Sequence, residues 1–184
     1  MKKALIGILV MFSLQSFAQN DFRKMNWGDT PTQLKTNYPD VNWESETDGS
    51  TIFYYTDDYV GGLAAKIFYY FIDNKLQIGA YYFEEVHSAN NLYYEDFVSI
   101  STFLNKKYDM EMNENWNDTS WKGDDDNIGF ALAMGHVEIN ESYEDQETSV
   151  IHSISGDGPG IEHLLRYASM EYVNSIREES LDDF

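Results

Sequence analysis

The chain contains no cysteine. That absence excludes disulfides, thiolate metal sites, cysteine nucleophiles and a lipid-modified cysteine at a processed N-terminus. Basic residues are scarce: 12 Lys and Arg stand against 32 Asp and Glu, for a formal charge of −20. A field of that sign repels phosphate backbones, so nucleic acid and anionic membrane surfaces are poor partners. Catalytic signatures are missing as well. There is no G-x-S-x-G elbow, no phosphate-cradling P-loop, no dinucleotide fingerprint and no HExxH motif. Beyond residue 18 no apolar stretch reaches transmembrane length.

What is present is a core. The 184 residues are 42% hydrophobic, enough for one sizeable core but not comfortably for two independent domains. Aromatics reach 16%, with 14 Tyr, 11 Phe and 4 Trp, which rules out generic disorder despite the charge. Residues 1–18 read as a secretory leader. Lys2 and Lys3 open it, an apolar run from Ala4 to Phe12 follows, and Ser16-Phe17-Ala18 offers small residues at a cleavage site. The alternative is an uncleaved anchor. With the leader removed and no lipidation cysteine, the product is expected to be soluble and exported, in the periplasm or outside a bacterial cell.

Local signals then order the chain. Thr30-Pro31-Thr32-Gln33 fits a capping box, and Pro39 cannot continue the helix it starts. A second helix is predicted over 91–107, with Tyr93, Phe97, Ile100 and Leu104 on its apolar face. Between the helices, strands are predicted at 51–56, 63–72 and 75–84, the first ending at Asp57-Asp58. The last two are joined by Asp73-Asn74, a pair that tolerates a tight hairpin turn. After the second helix, strand-like stretches lie at 110–116, 128–139, 148–155 and 161–168, punctuated by Asp124-Asp125-Asp126 and by Gly156-Asp157-Gly158-Pro159-Gly160.

Pairing Ile72 with Lys75 sorts the hairpin into two faces. One collects Leu63, Ala65, Ile67, Tyr69 and Phe71 with Leu76, Ile78, Ala80 and Tyr82, and reads as core. The other collects Lys66, Phe68 and Tyr70 with Lys75, Gln77, Tyr81 and Phe83, and Gly79 sits opposite Phe68. Lys66, Phe68, Tyr70, Tyr81 and Phe83 are the candidate binding residues, because rings with scattered polar groups are enriched at binding surfaces. The alternative is that this face packs inward as ordinary core.

The pattern is that of an α+β fold, an antiparallel sheet with helices packed on one face. It is one domain over 19–172, in two tandem helix-plus-three-strand halves, 19–87 and 88–172. An acidic tail or frayed helix follows over 173–184. Trp27-Gly28-Asp29-Thr30 before a short helix, then a hairpin, then a second helix, resembles small exported bacterial proteins of the β-lactamase-inhibitor-protein-like and SmpA/BamE-like fold group. The run Tyr69-Tyr70-Phe71-Ile72-Asp73-Asn74-Lys75-Leu76 is similar to the hairpin of their second and third strands. That resemblance implies helix-helix-strand-strand-strand units, sometimes in tandem, and a role in protein–protein contact at the cell envelope. No catalytic residues transfer with it. The chain departs from the group in lacking both the lipidated cysteine of the assembly lipoproteins and the disulfides of the inhibitors.

Other chemistries have weaker cues. Asp124-Asp125-Asp126-Asn127 and Asp57-Asp58 offer oxygens, but neither supplies the glycine and glutamate of a calcium loop, so they read as solvated turns. His136 and Glu138 would share a strand face, with His152 across the sheet, while His87 and His163 have no obvious partner; no metal or cofactor is expected. Trp27 reads as a core anchor, and Trp116 and Trp121 flank a polar stretch where an exposed indole would stack on a sugar. The expectation is an exported, non-enzymatic module that binds another exported or envelope protein through an aromatic sheet face. The alternative is a carrier of a small apolar or sugar-like ligand between sheet and helices.

Overall fold

The computed structural model describes residues 20–123, 127–158 and 160–182. The leader read at residues 1–18, the Asp124-Asp125-Asp126 run and Pro159 lie outside them. Thr30 caps the first helix, α1 (Pro31–Asn37), with the full capping box: its side chain accepts from the Gln33 N–H, and Gln33 reaches back to the Thr30 N–H. Strands β1 (Glu44–Asp48), β2 (Thr51–Val60), β3 (Leu63–Ile72) and β4 (Lys75–Phe83) follow as a meander. Helix α2 (Asn90–Leu104) then leads to β5 (Glu111–Trp116), α3 (Ile128–Ala133), β6 (Val137–Glu144), β7 (Thr148–Gly156), β8 (Ile161–Ser169) and α4 (Met170–Asp182). All eight strands form one antiparallel sheet in the order β1-β2-β3-β4-β8-β7-β6-β5. The two meanders therefore meet through their last strands, with Ala80 opposite Arg166. The fold is α+β.

Three strand expectations are corrected. Strand β1 was not foreseen, because Glu-Ser-Glu-Thr-Asp is exposed at every position and has no apolar alternation. Strand β2 does not stop at Asp57-Asp58 but runs on to Val60. Both carboxylates stay exposed within the strand and have a cation beside them, Lys66 3.8 Å from Asp57 and Arg23 2.7 Å from Asp58, so neither requires a turn. The stretch 128–139 is not one strand. Its first six residues, Ile-Gly-Phe-Ala-Leu-Ala, form α3, and pairing resumes at Val137.

Helix α2 buries Phe97, Ile100, Ser101 and Leu104 against one face of the sheet. The stretch 20–29, α1 and α3 cover the same face. Phe22, Met25 and Leu34 enter the main core with Ile67, Tyr69, Phe71, Val150 and Leu165. Ile128 and Leu132 pack with Phe97, Ile139 and Ile154 in a second cluster. Trp27 is an anchor here, its indole N–H donating to Thr148 Oγ1 at 2.9 Å. Helix α4 passes to the end of the opposite face, where Arg177 pairs with Glu144 at 2.7 Å. Both edge strands carry carboxylates, Glu44, Glu46 and Asp48 on one and Glu111 and Glu114 on the other, which discourages edge-to-edge association.

The β3–β4 hairpin fixes what each face presents. Asp73 and Asn74 take φ of 49° and 65°, the two left-handed positions of a tight turn. Ile72 pairs with Lys75 and Phe71 with Leu76, but Tyr70 then pairs with Ile78. Gln77 is the extra residue, and its buried amide oxygen accepts from Ser169. Beyond this bulge every β4 side chain changes face. Gly79 therefore lies opposite Tyr69, on the helix-covered face, and the ring that occupies its space is Phe22 rather than Phe68. A Cβ at Gly79 would sit 2.3 Å from the Phe22 ring. Gly79→Ala is expected to destabilise the fold by ~2 kcal/mol through overpacking, read as a lower urea midpoint; an unchanged midpoint would mean that Phe22 is not seated there.

Candidate functional site

The bulge divides the five candidate residues. Lys66, Phe68 and Tyr70 share the open face, where Phe53 and Tyr55 of β2 and Tyr82 of β4 join them. Tyr81 and Phe83 do not lie there. They project to the helix-covered side because Gln77 shifts the register by one residue. Tyr81 packs against Phe22 with centroids 5.1 Å apart, and Phe83 stacks on His163 at 4.2 Å. Ile78, Ala80 and Tyr82, read as core, stand instead on the open face.

Five rings there form a continuous plate. Phe68 stacks on Tyr55 at 5.2 Å and on Tyr70 at 5.8 Å, and meets Tyr82 edge-on at 5.1 Å; Phe53 lies 5.6 Å from Tyr70. All five are half-buried. Cross-strand neighbours on alternate positions of β2, β3 and β4 produce this contact directly. Burial, then the adjacent Tyr82, pushes the Tyr70 phenol above its ordinary range. Lys66 lies at the plate's border, 5.9 Å from the Tyr55 ring centroid and 3.3 Å from Glu84. The Glu84 hydrogen bond raises the Lys66 pKa, so the side chain stays cationic. On the other border, Glu44 and Glu46 of β1 each lie 3.1 Å from the Tyr55 hydroxyl. The hydrogen bond to Glu44 is the main reason that the Tyr55 pKa is pushed up to about 12.

A second constellation lies beneath α2 and was not read from the sequence. Ser101 Oγ donates to Glu141 Oε1 at 2.5 Å, Glu141 Oε2 lies 3.2 Å from His152 Nδ1, and His152 Nε2 lies 2.8 Å from His163 Nε2. Glu141 is 1% exposed and His152 is fully buried. His163, expected to lack a partner, therefore has one. Phe97 stacks on His152 at 4.1 Å. Desolvation tends to raise the Glu141 pKa, but hydrogen bonds from His152 and Ser101 outweigh it and hold the carboxylate below its ordinary value. Burial lowers His152, and burial with His152 alongside lowers His163 to about 3. Both imidazoles are thus neutral: the His152 Nδ1–H donates a hydrogen bond to the carboxylate, and His152 Nε2 accepts one from the His163 Nε2–H. Ser101 faces the carboxylate rather than an imidazole, so the chain of contacts runs serine, carboxylate, imidazole, imidazole.

Among the described residues no group of three or more His, Cys, Asp or Glu is arranged to hold a metal ion. His136 precedes β6 and stacks on Trp121 at 5.8 Å, so it does not share a strand face with Glu138. His87 contacts Asp96 at 2.6 Å. Trp116 lies partly buried against the second core cluster. On the helix side, an open apolar groove of about 340 Å³ runs between the end of α2 and the β2–β3 turn, lined by Val60, Tyr81, Ile100, Phe103, Leu165 and Tyr167 among others. Among the described residues no helix is long and apolar enough to cross a membrane. No protein-family model, curated protein or solved structure matches the chain.

Proposed function

We propose that this protein is an exported, non-enzymatic binding module that holds another exported or envelope protein on the open aromatic face of its sheet. The observation that carries this reading is the plate itself: five touching, half-buried rings on a face that α1, α2 and α3 leave uncovered. Rigid rings offer large contact area for little lost side-chain entropy, and central aromatic anchors commonly contribute ~2 kcal/mol or more each to a complex. The resemblance to exported envelope proteins points the same way. The binding residues are then Phe53, Tyr55, Lys66, Phe68, Tyr70 and Tyr82. A cross-linked pull-down from envelope extract tests it. A protein captured by the wild type and by Phe103→Ala should be lost with Phe68→Ala/Tyr70→Ala. Loss with Phe103→Ala alone would move the site to the helix-side groove.

That groove favours a second reading, a carrier of a small apolar or sugar-like ligand between sheet and helices. It predicts a ligand-induced rise in melting temperature that Phe103→Ala abolishes and Phe68→Ala/Tyr70→Ala leaves intact.

A further inference from the structure

Resting on the aromatic-face reading, we infer that the partner meets this face with a basic segment, whose Arg or Lys side chains lie on the Tyr55 and Phe68 rings and pair with Glu44 and Glu46. Three observations converge. Glu44 stands opposite Tyr55 and Glu46 opposite Phe53, so both carboxylates border the plate on its own face. Both are exposed, and among the described residues no cation lies within ion-pair distance of either, although Lys66 is near enough for the Glu44 charge to stabilise its ammonium. They share a single hydrogen-bond donor, the Tyr55 hydroxyl, 3.1 Å from each. One proton shared between two carboxylates leaves most of their acceptor capacity unfilled, with two like charges drawn together. A guanidinium, with five donors in a planar fork, matches that arrangement.

Lys66 shows that the rings accept a cation. Its ammonium already lies 5.9 Å from the Tyr55 centroid, though Glu84 and Asp57 hold it. A partner's cation has the same ring system to lie on and the unoccupied carboxylates beside it. The chain's charge of −20 steers such a partner inward from a distance and repels an acidic one.

The test titrates the protein with a labelled peptide of alternating arginine and serine, and with its glutamate–serine counterpart, at about physiological salt. Glu44→Gln/Glu46→Gln should weaken binding of the arginine peptide by ~tenfold or more. Glu111→Gln/Glu138→Gln removes the same charge far from the rings, on β5 and β6, and should change binding by less than ~twofold. These are exposed carboxylate-to-amide changes on or beside an edge strand, so the fold is retained in both variants. Equal losses from the two pairs would mean a diffuse field, which overturns the inference and leaves the aromatic-face reading standing. Failure to bind the arginine peptide, or equal binding of the glutamate peptide, overturns it also. Loss with Glu44→Gln/Glu46→Gln but not with Phe68→Ala/Tyr70→Ala would defeat both readings.

Discussion

Glu141→Ala is expected to be among the most destabilising single substitutions in the chain, costing about 3–5 kcal/mol. The carboxylate is the acceptor for two donors in the middle of the fold, Ser101 Oγ from α2 and His152 Nδ1 from β7. Each buried donor left unpaired costs ~1–3 kcal/mol, and the emptied volume adds to that. His152 has no alternative, since its ring is clamped by the Phe97 stack and fully buried. Glu141→Gln retains one acceptor oxygen and should lose roughly half as much. Urea unfolding of the three proteins reads the result. A Glu141→Ala variant within about 1 kcal/mol of the wild type would mean that the network is not what joins α2 to β6 and β7.

Acid should undo the same region. For the histidines the sign follows from their lowered folded pKa values: the unfolded chain binds protons below about 6.5 that the folded chain refuses, so stability falls as pH falls. Each contributes up to about 1.4 kcal/mol per pH unit, and the His163 contribution continues until pH approaches its folded value of about 3. Glu141 adds in the same direction at lower pH. Its folded pKa is depressed, so its stabilisation is present above the ordinary carboxylate value and is lost as pH falls through the folded one. Protonating surface carboxylates relieves repulsion and acts oppositely, so the comparison must be with a variant. His163→Gln keeps a donor for His152 without a group that titrates near neutrality. Between about pH 6 and 4.5 it should make the slope of stability against pH shallower, by up to about 1.4 kcal/mol per pH unit. An identical slope in the two proteins would show that His163 is not held neutral in the fold.

What was legible in the sequence is what local chemistry dictates. The Thr30–Gln33 capping box and the Asp73-Asn74 turn need only neighbouring residues, and both are where the residues place them. Helix α2 is legible because its apolar positions repeat with the helical period over fifteen residues. A polar edge strand such as β1 has no face to alternate, and a six-residue apolar run such as α3 fits helix and strand equally. The bulge was the costly omission. One inserted residue leaves composition and alternation almost unchanged, yet it exchanged Tyr81 and Phe83 for Tyr82 on the open face, and Phe53 and Tyr55 completed the plate from β2. The buried network did leave a signal. Glu141 follows Val137 and Ile139, His152 lies between Val150 and Ile154, and His163 precedes Leu165, so each is a polar residue on an apolar stripe of period two. What joins them is the strand register, which no single stripe reveals.

The central claim is that a partner sits on the ring plate of β2, β3 and β4. Hydroxyl-radical footprinting of tyrosines in the captured complex reads this without any variant. The account predicts protection of Tyr55, Tyr70 and Tyr82, with Tyr108 and Tyr143 on the helix side unchanged. Protection at Tyr108 with Tyr55, Tyr70 and Tyr82 still reactive would contradict it and place the partner over the groove beside α2.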